Sequence, residues 1–174
     1  MPALRSTACQ QTAFDLRRIE RESFVRRVVL RRVLPSTNDS ALRMALQPRL
    51  ETPVLLLAEQ QTAGRGRGGN CWWSARGALT FSLILESKPL SLAASQLPRV
   101  ALTAALAVCD VVQAIVPQAG CGIRWPNDVY AAGRKICGVL PELAGQCESG
   151  PPQIRLVLGI GINVNNSLAA APPD

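Results

Sequence analysis

The 174 residues predict an α+β domain, a mixed β-sheet with helices packed on one face. Three observations carry this. Short apolar runs of strand character recur along the chain, at residues 24–34, 54–58, 79–85, 120–125, 135–140 and 154–162. Few stretches hold a helical period, and the longest covers residues 98–116. Ala132-Gly133, flanked by residues 129–131 and 135–140, is a hairpin signal that makes neighbouring strands antiparallel.

Taken in order, residues up to Cys9 read as a loose terminus, and residues 14–22 as a short amphipathic helix. In 24–34, Val28, Val29, Leu30 and Val33 alternate among arginines, giving a strand with a solvated basic face. Pro35 ends that strand. Ser36-Thr37-Asn38-Asp39 then precedes Ala41, Leu42, Met44, Ala45 and Leu46, so the hydroxyls are explained by helix N-capping alone. Residues 54–58 form a continuous apolar run, as a buried strand does, and 79–85 repeat the pattern. Pro98 is tolerated if it opens the long helix, which is apolar on most sides and so expected to be buried against the sheet. Pro126 ends the strand at 120–125, and Gly150-Pro151-Pro152 is a turn before the last strand.

The chain has one domain's worth of length, with 48% hydrophobic and 18% charged residues, and a packed core is expected. Residues 1–24 read as an extension with a short helix and 25–174 as the domain itself. The net charge of +7 is carried almost wholly by arginine, which favours anionic partners. No helix-turn-helix pattern, zinc spacing or aromatic interleaving accompanies it, so DNA is not singled out. The six cysteines have no C-x-x-C spacing and no histidine is present, so reduced thiols in a cytoplasmic protein are expected. No signal sequence or membrane-length apolar run is read in the chain, and no membrane partner is expected. Without histidine, any chemistry must rest on arginine, lysine, carboxylates and backbone.

One stretch is neither core nor ordinary turn. Glu59-Gln60-Gln61-Thr62-Ala63-Gly64-Arg65-Gly66-Arg67-Gly68-Gly69-Asn70-Cys71-Trp72-Trp73-Ser74 follows a buried strand directly and reads as a loop. Its glycines let backbone N–H groups approach a ligand, and Arg65 and Arg67 add forked donors for phosphate or carboxylate. A solvated arginine-glycine surface loop remains the plain alternative. Three further stretches place polar or glycine residues at strand ends: Arg124-Trp125-Pro126-Asn127-Asp128, Arg134-Lys135-Ile136-Cys137-Gly138-Val139-Leu140, and Gly159-Ile160-Gly161-Ile162-Asn163-Val164-Asn165. Each alone has a structural explanation: turn chemistry for Asn127-Asp128, a solvated Lys135, and a bulge or close strand approach at Gly159 and Gly161.

Together with Ser36-Thr37-Asn38, these stretches appear in an order that resembles the catalytic domain of biotin protein ligases, from Ser36 to Asn165. The resemblance implies an ATP-dependent ligase that makes biotinyl-5'-AMP from biotin and ATP with Mg2+, then passes biotin to a lysine of a biotin carboxyl carrier domain. It implies that Ser36, Thr37, Gln61 and Arg65 bind the ureido ring, that Asn38 is also biotin-binding, and that Gly64, Gly138 and Leu140 shape the apolar slot. Arg67 and Lys135 would act where carboxylate meets α-phosphate, with Asp128 orienting or deprotonating the acceptor lysine. Arg65, Gly66, Trp72, Asn127 and Asn163 would lie on the adenylate side, and Asn163 is also the candidate magnesium ligand. Of the two tryptophans, Trp72 is assigned to the ligand and Trp73 to packing.

The sequence departs from that family at Gly68, Asn70 and Cys71, where more basic residues are common, and at Arg124, where lysine is common. Pro141 interrupts an expected strand and requires an edge or a bulge. The chain stops at Asp174, so the domain's C-terminal part and a small β domain are expected to be lacking, as is an N-terminal DNA-binding domain. A homodimer is left open. The rival readings are a lipoate or octanoyl ligase or transferase of the same fold, a truncated non-catalytic biotin-binding fragment, and an arginine-rich nucleic-acid binder.

Overall fold

The computed structural model describes residues 14–87, 93–146, 153–169 and 171. The loose terminus up to Cys9 and the turn at Gly150-Pro151-Pro152 lie outside the described residues. Among the described residues, three α-helices, α1 (Leu16–Glu22), α2 (Thr37–Ala45) and α3 (Leu97–Ile115), accompany eight strands. The strands are β1 (Arg27–Leu34), β2 (Val54–Arg65), β3 (Cys71–Ser74), β4 (Leu79–Glu86), β5 (Cys121–Arg124), β6 (Asp128–Ala131), β7 (Arg134–Gln146) and β8 (Gln153–Ile162). They form one sheet in the order β1-β2-β4-β8-β7-β6-β5, with β3 joined to the far end of β2. Only β1 and β2 run parallel; the other pairs are antiparallel, so the sheet is mixed as expected.

Strand alternation divides the core between the two faces. Phe81, Leu83, Val139, Leu158 and Ile160 pack beneath α3 against Ala101, Ala105, Val108 and Cys109. Leu55 and Leu57 meet α1 through Leu16 and Ile19 on that same face, so residues 14–22 share the core of the sheet. The opposite parity, including Val54, Leu56, Ile84 and Val157, packs against Ala41 and Ala45 of α2. Helices on one face therefore describe α1 and α3, while α2 lies on the other side.

Two local expectations change. The segment read as a loop from Glu59 is strand as far as Arg65, because β1 pairs with β2 up to Gln61 and β3 then takes over at Gly64. Only a tight turn remains of it: the Gly66 N–H donates to the Asn70 carbonyl at 2.7 Å, and Gly68 and Gly69 take positive φ. Helix α3 packs against the sheet as expected, but its apolar outer side leaves Leu106, Val111 and Ile115 exposed. The segment Ala94–Ile115 is also long and apolar enough to span a membrane, contrary to the expectation, although its buried residues face the sheet.

Other readings hold. Ser36 caps α2, its hydroxyl accepting from the Asp39 N–H at 3.3 Å. Ala132 and Gly133 both take positive φ, as the tight turn of the β6–β7 hairpin requires. Pro141 lies within β7 but beyond Gly138, where pairing with β6 stops, so this half of β7 is a local edge. Val139 donates its N–H on the β6 side, to Asn127. Two residues on, the missing donor of Pro141 falls on that same outer side, and the ladder to β8 loses nothing.

Among the described residues the cysteines are free thiols. Burial pushes Cys137 up to about 12, with the charge of Asp128 adding, and pushes Cys109 up to about 11, with Cys121 adding. At pH 8 both are almost wholly protonated thiols. Iodoacetamide at that pH is expected to modify exposed Cys71 and to spare Cys109 and Cys137 in the folded protein, as read by peptide mass spectrometry.

Candidate active site

The α2 face of the sheet carries a cleft whose floor is the glycine-rich centre of β7 and β8. Gly138 pairs with Gly161 and Leu140 with Gly159, so two residues without side chains lie on the same face as their neighbours Gly138 and Leu140. The absent side chains are needed. A Cβ on Gly161 would lie 2.4 Å from the Trp72 ring, and one on Gly138 would lie 3.3 Å from it. Trp72 thus lies flat across the two strands, and the expected close strand approach at Gly159 and Gly161 is explained by what sits on them. At Gly159 a Cβ would collide with the Asn38 amide. Gly159→Ala is expected to cost about 3 kcal/mol, because buried Asn38 must move and break its hydrogen bonds; urea denaturation measures it.

Around this floor the fold gathers most of the residues singled out in the sequence. Ser36, Thr37 and Asn38 enter from the N-terminus of α2. Gln61, Arg65, Gly66 and Arg67 come from the end of β2 and the turn after it, and Trp72 from β3. Asn127, Asp128, Lys135, Gly138 and Leu140 close the other side. Asn70, Cys71 and Thr80 also line the cleft, although no motif in the chain marks them as ligand residues.

Two candidates stand apart. Gly64 does not line the cleft; it pairs with Trp72, and a Cβ there would meet the Trp72 carbonyl at 2.4 Å, so its smallness serves the β2–β3 crossing. Asn163, the candidate magnesium ligand, is also outside the lining. Its amide donates to the Lys135 carbonyl at 3.4 Å and accepts from Asn166 at 2.9 Å, which commits both ends of the side chain to the turn. Among the described residues no group of three or more Asp, Glu, Cys or His side chains could hold a metal. With both ends of its amide committed, Asn163 does not fit the magnesium ligand expected of it.

Two ion-pair systems lie in the cleft. At one side Lys135 Nζ is 2.7 Å from Asp128 Oδ2, with the ammonium 6.0 Å from the centre of the Trp72 ring. Asp128 Oδ1 and Trp72 Nε1 are both buried without a hydrogen-bond partner, so an acceptor and a donor are left open there. At the other side Arg65 is held twice, by Asp39 at 2.7 Å and by Glu142 at 2.7 Å. The hydrogen bond to Glu142 raises the Arg65 pKa; partial burial opposes it, and the charges of Glu142 and Asp39 reinforce it.

Glu142 also accepts from Asn38 Nδ2 at 2.7 Å, while Asn38 donates to the Leu140 carbonyl and accepts from Ser82. Asn38 is therefore a buried tie between α2, β4 and β7. Thr37 N–H donates to Gln61 Oε1 at 2.6 Å, fixing that amide at the cleft, and Asn127 donates to the Val139 carbonyl. Trp73, expected to serve packing, donates to the Ser167 carbonyl at 3.2 Å. Glu142 belongs to no motif, yet strand alternation finds it: 138, 140 and 142 share one face of β7.

Residues 29–163 match the model of the Biotin/lipoate A/B protein ligase family. The chain belongs to this family. It is 41% identical over 138 residues to a biotin–[acetyl-CoA-carboxylase] ligase of Paracoccus denitrificans, covering 79% of this chain and 52% of that protein. The corresponding ligase of Mycobacterium tuberculosis is 37% identical over 141 residues, covering 80% and 50%. In three dimensions the chain is similar to the biotin protein ligase of Aquifex aeolicus in complex with biotin and ATP. That match has a TM-score of 0.64 and 32% identity, over 85% of this chain and 55% of the other. The chain spans about half the length of the curated relatives it matches. The cleft lies within the matched residues, since its lining runs from Ser36 to Gly161.

Proposed function

We propose that this family member is a biotin–protein ligase, which activates biotin with ATP to biotinyl-5'-AMP and transfers biotin to a lysine of a biotin carboxyl carrier domain. The observation that carries the reading is the single cleft, which joins polar groups suited to a neutral ring, an apolar glycine floor and the cations Arg67 and Lys135. In the first step a carboxylate attacks the α-phosphate of ATP, displacing pyrophosphate. Two anions must meet, so fixed positive charge lowers the barrier. Arg67 and Lys135 supply it. Magnesium enters as part of the Mg·ATP substrate, held by the phosphates.

Ser36, Thr37, Gln61 and Arg65 offer hydrogen bonds to the ureido ring, which needs partners when it leaves water. Leu140 offers the tail an apolar side chain in the cleft, and Trp72, lying over Gly138 and Gly161, gives the adenylate a rigid aromatic surface. In the second step the mixed anhydride is already activated. The acceptor amine attacks the biotinyl carbonyl and AMP leaves, so alignment and a deprotonated amine suffice. Asp128 is the carboxylate at hand to orient that amine. Free thiols are in keeping with a cytoplasmic setting.

Incubation with biotin and Mg·ATP should yield biotinyl-5'-AMP by mass spectrometry, with lipoate giving no adenylate; failure with biotin would overturn the proposal. Arg67→Ala is expected to release the adenylate about tenfold faster in a filter-retention assay, as one charged hydrogen bond is lost.

A further inference from the structure

The cleft has a charge polarity that the separate residue roles do not contain. Seven residues of β7 separate Lys135 from Glu142, about 23 Å at ~3.3 Å per residue. Near Lys135, one cation meets one carboxylate, Asp128, with Arg67 in the lining of the same cleft. Near Glu142 carboxylates are in excess, since Arg65 is gripped by two of them, Asp39 on its Nε and Glu142 on its Nη2. Three of the five guanidinium N–H groups are left over as donors. The local charge they belong to is net negative.

We propose that Glu142, with Asp39, is a positioning and selectivity residue that makes the Arg65 end of the cleft a seat for a neutral polar head and excludes anions from it. On the ligase reading, on which the identity of that head rests, the ureido ring occupies this end. The carboxylate and phosphates are sent to the Arg67–Lys135 end, so Arg65 serves the ring alone. Glu142 does this by two contacts from one oxygen. It fixes the direction of the Arg65 fork, and it anchors Asn38, which sets the start of α2 beside Ser36 and Thr37. A bare arginine at that place would attract the carboxylate or a phosphate and let the ligand bind reversed.

Calorimetric titration of the protein, Glu142→Gln and Glu142→Ala with biotin and with inorganic pyrophosphate tests this. Glu142→Gln keeps the shape and an amide oxygen for one donor but removes the charge. Its affinity for pyrophosphate is expected to rise about tenfold, while its affinity for biotin falls about tenfold, and Glu142→Ala should lose more of the biotin affinity than Glu142→Gln. A purely structural role would weaken both ligands together. Unchanged or weaker pyrophosphate binding in Glu142→Gln would overturn the proposal, whatever biotin does. If the unsubstituted protein takes no biotin, the ligase reading falls, but the pyrophosphate comparison still decides the charge polarity. Should Glu142→Gln fail to fold, Asp39→Asn removes the other carboxylate and must give the same rise.

Discussion

Lys135→Ala is expected to lower biotin-dependent ATP–pyrophosphate exchange by about 10²–10³-fold while the protein stays folded. The ammonium is the cation paired with Asp128 at 2.7 Å, and it stands beside the Trp72 ring. Its removal leaves Arg67 alone to offset two approaching anions and turns Asp128 from a paired carboxylate into an uncompensated one. Both changes raise the barrier. Stability should hardly respond, because the side chain is partly exposed and such pairs contribute under about 1 kcal/mol. Lys135→Arg keeps the charge but replaces a compact donor by a planar fork, so partial activity is expected. Exchange at the unsubstituted rate in Lys135→Ala would remove this residue from the mechanism.

Arg155→Ala is expected to be the most destabilising single substitution, at about 3–5 kcal/mol, set against a total of about 5–15 kcal/mol for a domain. Arg155 is 2% exposed. Its guanidinium donates to the carbonyls of Ala45, Gln47 and Leu50, and Nε meets Glu86 at 3.0 Å. One side chain of β8 thus caps the C-terminus of α2 and the turn that follows, where helical carbonyls have no partners of their own. Truncation takes a charged donor from three carbonyls and a carboxylate, of which Gln47 keeps the Leu50 N–H and Glu86 keeps the Thr52 hydroxyl. Because α2 carries Ser36, Thr37 and Asn38 into the cleft from its other end, biotin affinity should fall along with the urea midpoint. A loss under about 1 kcal/mol would mean that water replaces the guanidinium without penalty.

The strands and helices with a clean period could be read from the chain: β1, β4, β8 and the cap at Ser36 are where hydrophobic alternation and capping chemistry put them. β3 could not. Cys71–Ser74 has four residues and no alternation of its own, and its strand state comes from pairing with the end of β2, a contact between segments. For the same reason the glycine-arginine stretch reads as loop from Glu59 through Ser74. The exposed side of α3 carries no signal of its own because alanine and leucine occur all round the helix, while Ala101, Ala105, Val108 and Cys109 are buried on the sheet with Val100, Ala104 and Val112 packed beside them. At the site, the residues with distinctive chemistry were legible. Their partners were not: the double grip on Arg65 depends on Asp39 and Glu142, which are distant in sequence and unremarkable one at a time. Asn163 failed to reach the cleft because Asn166, three residues on, binds its amide oxygen.

Pro141 shapes how this molecule meets its own kind in a crowded solution. Among the described residues no strand pairs with the outer half of β7, the sort of backbone that invites a stray extended segment to zip on. With a pyrrolidine ring where an amide hydrogen would be offered, any such intruder finds a missing rung midway along. A margin with a missing rung can stay open for a specific visitor while resisting indiscriminate clumping.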